Sequence, residues 1–213
     1  MARKKTVIDQ IYTEIRNKIL KNEYTPGLKL SENSLSEDFN CSRTPVREAL
    51  KRLEQDGFVT VLPHSGSYVK EMTIRDYQYL AEIRAYLESL AFRLNCENKT
   101  DIRPFVEILD KMDECDLTNF NGVMTFSNLH FKFHISMVKA SGNELLYTTF
   151  KRLNLSSNSH VFYQPLTDKR KETTQEEHRK ILEFMKNGES AKGEKFMHAH
   201  LWRLRDEYVK YLS

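Results

Sequence analysis

Residues 30–59 read LSENSLSEDFNCSRTPVREALKRLEQDGFV. Two short helices joined by a tight turn account for the pattern. The first is capped by Ser31 or Asn33 and turns Leu35 and Phe39 inward. It ends at Asn40, a residue type that tolerates the left-handed backbone of a helix end. Ser42 caps the second, over RTPVREALKRLEQD. Pro45 falls in its first turn, where the missing N–H costs little. Val46, Leu50 and Leu53 form its inward stripe and Gly57 ends it. Arg43, Thr44 and Arg47 occupy the outer side of its N-terminal end.

Upstream, Ile8, Ile11, Ile15 and Ile19 recur at helical spacing and predict a helix over Val7–Leu20, broken by Pro26-Gly27. Downstream, Phe58–Leu62 alternates and a Pro-His-Ser-Gly turn leads to Tyr68-Val69, the signature of a hairpin. Three helices and a hairpin within about 70 residues is the layout of a winged helix-turn-helix. Charge agrees: residues 1–70 hold twelve Lys/Arg against nine Asp/Glu, whereas residues 71–213 hold 21 of each. The excess of +3 sits in the N-terminal third, where a nucleic acid would be met. A solvated basic helix face is the alternative reading of Arg43 and Arg47.

Of 213 residues, 39% are hydrophobic and 30% charged, and Gly and Pro number only 7 and 5. This is an ordinary globular composition that favours helices. No apolar run approaches the ~18–20 residues that span a bilayer. The basic N-terminus lacks the apolar stretch of a secretory signal. Cys41, Cys96 and Cys115 are odd in number and lack a CxxC, which points to free thiols and a cytoplasmic protein. After the linker Glu-Met-Thr, Thr73 and Asp76 form a capping pair. From there the pattern is only helical, over roughly 73–97, 101–115, 119–140, 143–163, 169–187 and 189–211. The expected fold is mainly α: a winged helix-turn-helix over 1–71, then an all-α six-helix antiparallel bundle over 72–213. In NLHFKFHISM (128–137), His130 and His134 stand one helical turn apart. On spacing alone they are either metal ligands or packing residues.

The stretch 30–59 and LPHSGSYV (62–69) resemble the GntR family of bacterial transcription regulators, with its S-R-T-P-V-R-E-A-L opening of the recognition helix and its wing glycine. The resemblance implies that Arg43 and Arg47 read bases, Arg being able to bridge guanine O6 and N7. It implies contacts from Thr44 and, through the helix N-terminus, from Ser42. Asn33 stands where some relatives place a DNA-contacting Arg. His64, Ser65 and Gly66 would form the wing tip, with Ser65 replacing a frequent Arg. It further implies that the partner is double-stranded DNA, bound by a homodimer at a short palindromic operator.

The remainder is similar to the FCD effector domain of the FadR-type branch, with six helices as in its VanR-like subgroup. The similarity rests on EIRAYLESLA (82–91), FKFHISMVKASGN (131–143) and EEHRKILEFMKNGESAKGEKFMHAHL (176–201). FCD domains commonly hold a metal with one Asp and three His. Here the histidines fall on His134, His178 and His200, and the Asp position is His130. Four imidazoles imply a divalent ion, Zn or Ni foremost. The alternatives are a polar pocket holding water or effector, or a site of three histidines with His130 turned away. His198, two residues from His200, falls on a different face.

The resemblance further implies a small organic-acid effector bound near the metal, with Arg84 as a second anchor or as a structural partner of Glu82 or Glu88. Asn143, Tyr163, Phe126 and Phe133 are further candidates for its cavity. The expected function is a transcriptional regulator, by default a repressor. A direct metal sensor is the alternative. A metal-dependent enzyme is disfavoured, because HFKFH lacks the Glu of HExxH.

Overall fold

Helix α1 (Val7–Leu20) begins with a reciprocal capping box between Thr6 and Asp9 and buries Ile11, Ile15 and Ile19. Each such side chain contributes about 1.5–3 kcal/mol on leaving water. The chain is described by a computed structural model over residues 6–71, 73–157 and 167–212. After α1 come β1 (Lys29–Leu30), α2 (Glu32–Asp38), α3 (Arg43–Gln55), β2 (Val59–Leu62) and β3 (Gly66–Val69). Ser31 Oγ caps α2 by accepting from Ser34 N–H. Asn40 has φ +46°, the left-handed conformation that turns the chain from α2 into α3. Val46, Ala49, Leu50 and Leu53 are buried on α3, which packs on α1.

Two local expectations are corrected. Ser42 occupies the N-cap position of α3, but its side chain makes no capping bond. The hairpin is also not alone: β1 pairs antiparallel with β3, giving the strand order β1-β3-β2. A two-residue strand has no readable alternation. Only its partner across the fold reveals it.

The second compact unit begins at Thr73. Its helices are α4 (Ile74–Glu97), α5 (Arg103–Asp113), α6 (Phe120–Ala140), α7 (Glu144–Ser157, of which the part to Leu153 falls in this unit), α8 (Asp168–Lys186) and α9 (Ser190–Leu212). The Thr73–Asp76 capping box opens α4. The sequence reading carries the fourth of these helices to residue 163, and that end lies outside the described residues. Helix α4 packs most extensively on α9, and also on α6, while α5 packs on α6 and α8. At Gly193 an ideal Cβ would come within 2.1 Å of Phe92 Cζ, so glycine is what lets α9 approach α4 this closely. Phe92, Phe105, Leu109, Met112, Phe133, Met137, Ile181 and Met197 fill the core. Two buried amides bolt helices together. Asn95 Nδ2 donates to Ala91 O and Met137 O at 2.9 and 2.8 Å. Gln175 Nε2 donates to Leu109 O and Asp113 Oδ1 at 2.8 and 2.7 Å. Among the described residues no helix is long and apolar enough to cross a membrane.

Candidate metal centre and nucleic-acid interface

In the N-terminal unit, the buried stripe of α3 leaves Arg43, Thr44 and Arg47 exposed, together with Ser42. Helix α2 steadies both arginines. Arg43 donates to Asn33 Oδ1 at 3.2 Å, and Arg47 Nε donates to Glu32 Oε2 at 2.7 Å. Asn33 is exposed beside them. At the wing, His64 takes φ +63° and forms the turn with Ser65 and Gly66, all three exposed. The Ser65 and Tyr68 hydroxyls lie 2.9 Å apart and brace that turn. An exposed helix N-terminus carrying two arginines is a surface able to enter a major groove.

In the helical unit, α6 supplies His130 and His134, α8 supplies His178 and α9 supplies His200. One ligand-capable nitrogen from each lies within 4.8 Å of all the others. His134, His178 and His200 are fully or almost fully buried, and His130 is half-buried. Aromatic rings hold the imidazoles: His178 stacks on Phe133 at 4.4 Å between centroids, and His130 lies parallel to Phe126 at 6.4 Å. Burial, reinforced by the neighbouring imidazoles, pushes His130 and His178 well below the ordinary histidine value. Burial also lowers His134, against the opposing pull of Glu88. These three rings are therefore neutral near pH 7, the state in which histidine binds metals.

Two carboxylates back the cluster. His134 Nδ1 is 2.5 Å from Glu88 Oε2, and His200 Nδ1 is 2.6 Å from Glu177 Oε2. Arg84 grips Glu88 Oε1 through Nε and a terminal nitrogen, both at 2.9 Å. Arg203 bonds both oxygens of Glu177. Burial alone would raise both acids, but His134 with Arg84, and His200 with Arg203, outweigh it and hold each well below the usual carboxylate range.

The donor set suits a metal. Both nitrogens of His178 and Nε2 of His200 are buried with no hydrogen-bond partner among the described residues. A buried polar atom left so costs about 1–3 kcal/mol. His130 Nε2 and His134 Nε2 face each other at 3.2 Å. With the His134 proton on Nδ1, either His130 donates across this gap or a cation takes the place of that proton.

The structure brings His130, His134, His178 and His200 together. His198 is outside the cluster, stacked on Trp202 at 5.2 Å and edge-on to Tyr86 at 4.9 Å. Arg84 is buried and pairs with Glu88. Asn143 is exposed, and its Oδ1 caps α7 by accepting from Leu146 N–H at 3.0 Å. Phe126 and Phe133 belong to the core beside the histidines. Tyr163 lies outside the described residues. Sequence reasoning missed Glu177. Its one signal is adjacency to His178, about 100° away around the same helix.

Residues 7–69 match the family described as "Bacterial regulatory proteins, gntR family", and residues 79–203 match the FCD domain. The chain is 30% identical over 188 residues to the uncharacterised HTH-type transcriptional regulator YdhC of Bacillus subtilis, covering 86% of this chain and 83% of that one. It is also 30% identical over 222 residues to the HTH-type transcriptional regulator LutR of Bacillus subtilis, covering 92% and 98%. The fold is similar to that of a crystal structure titled as a putative GntR transcriptional regulator from Rhodococcus sp. RHA1. The TM-score is 0.73 at 18% identity, over 95% of this chain and 97% of that one.

Proposed function

The chain belongs to the GntR family, carries an FCD domain and is a DNA-binding transcriptional regulator rather than an enzyme, and we propose that it is a cytoplasmic homodimeric repressor whose operator affinity is set by a small carboxylate effector bound near a metal in the helical domain. The observation that carries the sensing half is the four-histidine cluster, buried and left with unpartnered nitrogens. His130, His134, His178 and His200 would hold the ion, Zn or Ni by the nitrogen-only donor set. Once bound, it supplies a Lewis-acidic position that attracts an anionic oxygen. Four neutral imidazoles leave the ion's full charge uncompensated, whereas a set of three His and one Asp cancels one unit. The all-histidine site is the stronger attractor for a carboxylate. Arg84, beside the cluster through Glu88, is the candidate second anchor.

On the DNA side, Arg43 and Arg47 read base edges from the N-terminal end of α3. Ser42, Thr44 and Asn33 fix register, and His64, Ser65 and Gly66 make the wing contact. Two copies place two such helices on the half-sites of a palindrome. The effector shifts operator affinity to the extent that it binds one arrangement of the dimer better than the other. The test is fluorescence anisotropy of a labelled operator with zinc-loaded protein, across a panel of small mono- and dicarboxylates. At least one acid is expected to change operator affinity about 5–150-fold. No change across the panel contradicts the switch.

The all-nitrogen donor set also favours a second reading, direct metal sensing. There, chelator alone changes operator affinity with no organic acid present.

A further inference from the structure

We infer that Glu88 and Glu177 are positioning residues for this centre, each fixing which nitrogen of one histidine faces the cluster. The inference rests on reading the four histidines as a metal site and assigns the groups that preset it. A neutral imidazole carries one N–H. A carboxylate accepting from Nδ1 keeps the proton there and leaves Nε2 as a bare lone pair. Glu88 does this to His134 at 2.5 Å and Glu177 to His200 at 2.6 Å. In both cases an arginine also holds the carboxylate, Arg84 at the Glu88 oxygen that His134 leaves and Arg203 at both oxygens of Glu177. Each carboxylate comes from a different helix than the histidine it orients: α4 reaches to α6, and α8 to α9. The ligands are therefore preset by the packing of the bundle. Helix α8 serves twice, presenting His178 to the cluster directly and, one residue earlier, orienting His200 through Glu177. Among the described residues no carboxylate backs His130 or His178, so the site combines two preset imidazoles with two whose proton can move.

The hydrogen-bond pattern around Glu88 makes the idea sharp. Arg84 binds Oε1, and His134 binds Oε2. In Glu88→Gln the amide carbonyl has to face Arg84, which can only donate. The amide NH2 then faces His134 Nδ1, drives the proton to Nε2 and points an N–H into the cluster. An isosteric substitution thus inverts a ligand.

The experiment uses the full chain with 15N-labelled histidine. In metal-free protein, 15N NMR is expected to show His134 and His200 as Nδ1–H forms. Glu88→Gln should convert His134 alone to Nε2–H, and Glu177→Leu should release His200 alone from its fixed form. Arg203 is substantially exposed, so losing Glu177 does not strand a buried charge. By equilibrium dialysis against zinc, both variants should bind about 10–100-fold more weakly than the parent. Glu176→Leu, which removes the same charge from an exposed neighbouring position, should match the parent. Unchanged tautomers, or parental zinc affinity in both variants, overturn the orienting role alone. A parent that binds no zinc overturns the metal-centre reading, and the orienting role with it.

Discussion

Replacing His178 by leucine should invert the domain's stability order according to whether metal is present. Both nitrogens of His178 are buried without hydrogen-bond partners among the described residues. Each such atom costs about 1–3 kcal/mol in the metal-free protein. Leucine removes both and forfeits the ring stacking on Phe133, worth about 0.5–1.5 kcal/mol. The net expectation is a metal-free domain more stable by about 1 kcal/mol or more. In zinc the balance reverses. The parent gains about 2.7 kcal/mol at a free metal concentration of 100 times Kd, and the variant loses most of that. The single tryptophan, Trp202, lies two residues from His200 on α9, so its fluorescence reports this domain. Urea unfolding followed by Trp202, once in chelator and once in excess zinc, gives both halves of the comparison. A variant less stable than the parent in chelator, with an undiminished zinc shift, refutes the reasoning.

Arg47→Ala should weaken operator binding by about 1–3 kcal/mol and relax specificity at one base pair, read by anisotropy on single-base operator variants. The pH dependence of the metal-free domain follows from His130, His134 and His178, all lowered by burial. With folded values below the unfolded one of about 6.5, the unfolded chain takes up protons first on acidification. Stability should be complete above about pH 6.5 and fall below it, by at most about 4 kcal/mol per pH unit while all three differ. Urea midpoints between pH 8 and 5 check this. His130→Asp should keep a bound metal and change which metal competes best, measured by dialysis against equimolar zinc and nickel.

Much of this architecture follows from short-range pattern. The isoleucine spacing of α1, the inward stripe of α3 and the Thr73–Asp76 cap each lie within one or two helical turns. The structure reproduces them. What escaped depends on partners far along the chain. Strand β1 is two residues long and exists only because β3 pairs with it across 37 positions or more. Ser42 looks like a capping side chain but does not act as one. The histidine quartet was reachable because HxxxH is local and family motifs align the other two histidines. Spacing alone could not join α6 to α8 and α9. Glu88 was legible as one of two possible partners of Arg84, and Glu177 only as an acid beside His178; nothing in EIRAYLESLA or EEHRKIL announces a bond to a histidine 46 or 23 residues away.

The most direct test of the central claim is metal content per chain after dialysis against zinc or nickel, followed by removal of free ion. One bound metal per chain is expected for the parent and near zero for His134→Ala, with both proteins shown to be folded. Equal metal content in the two, or none in the parent, contradicts the assignment.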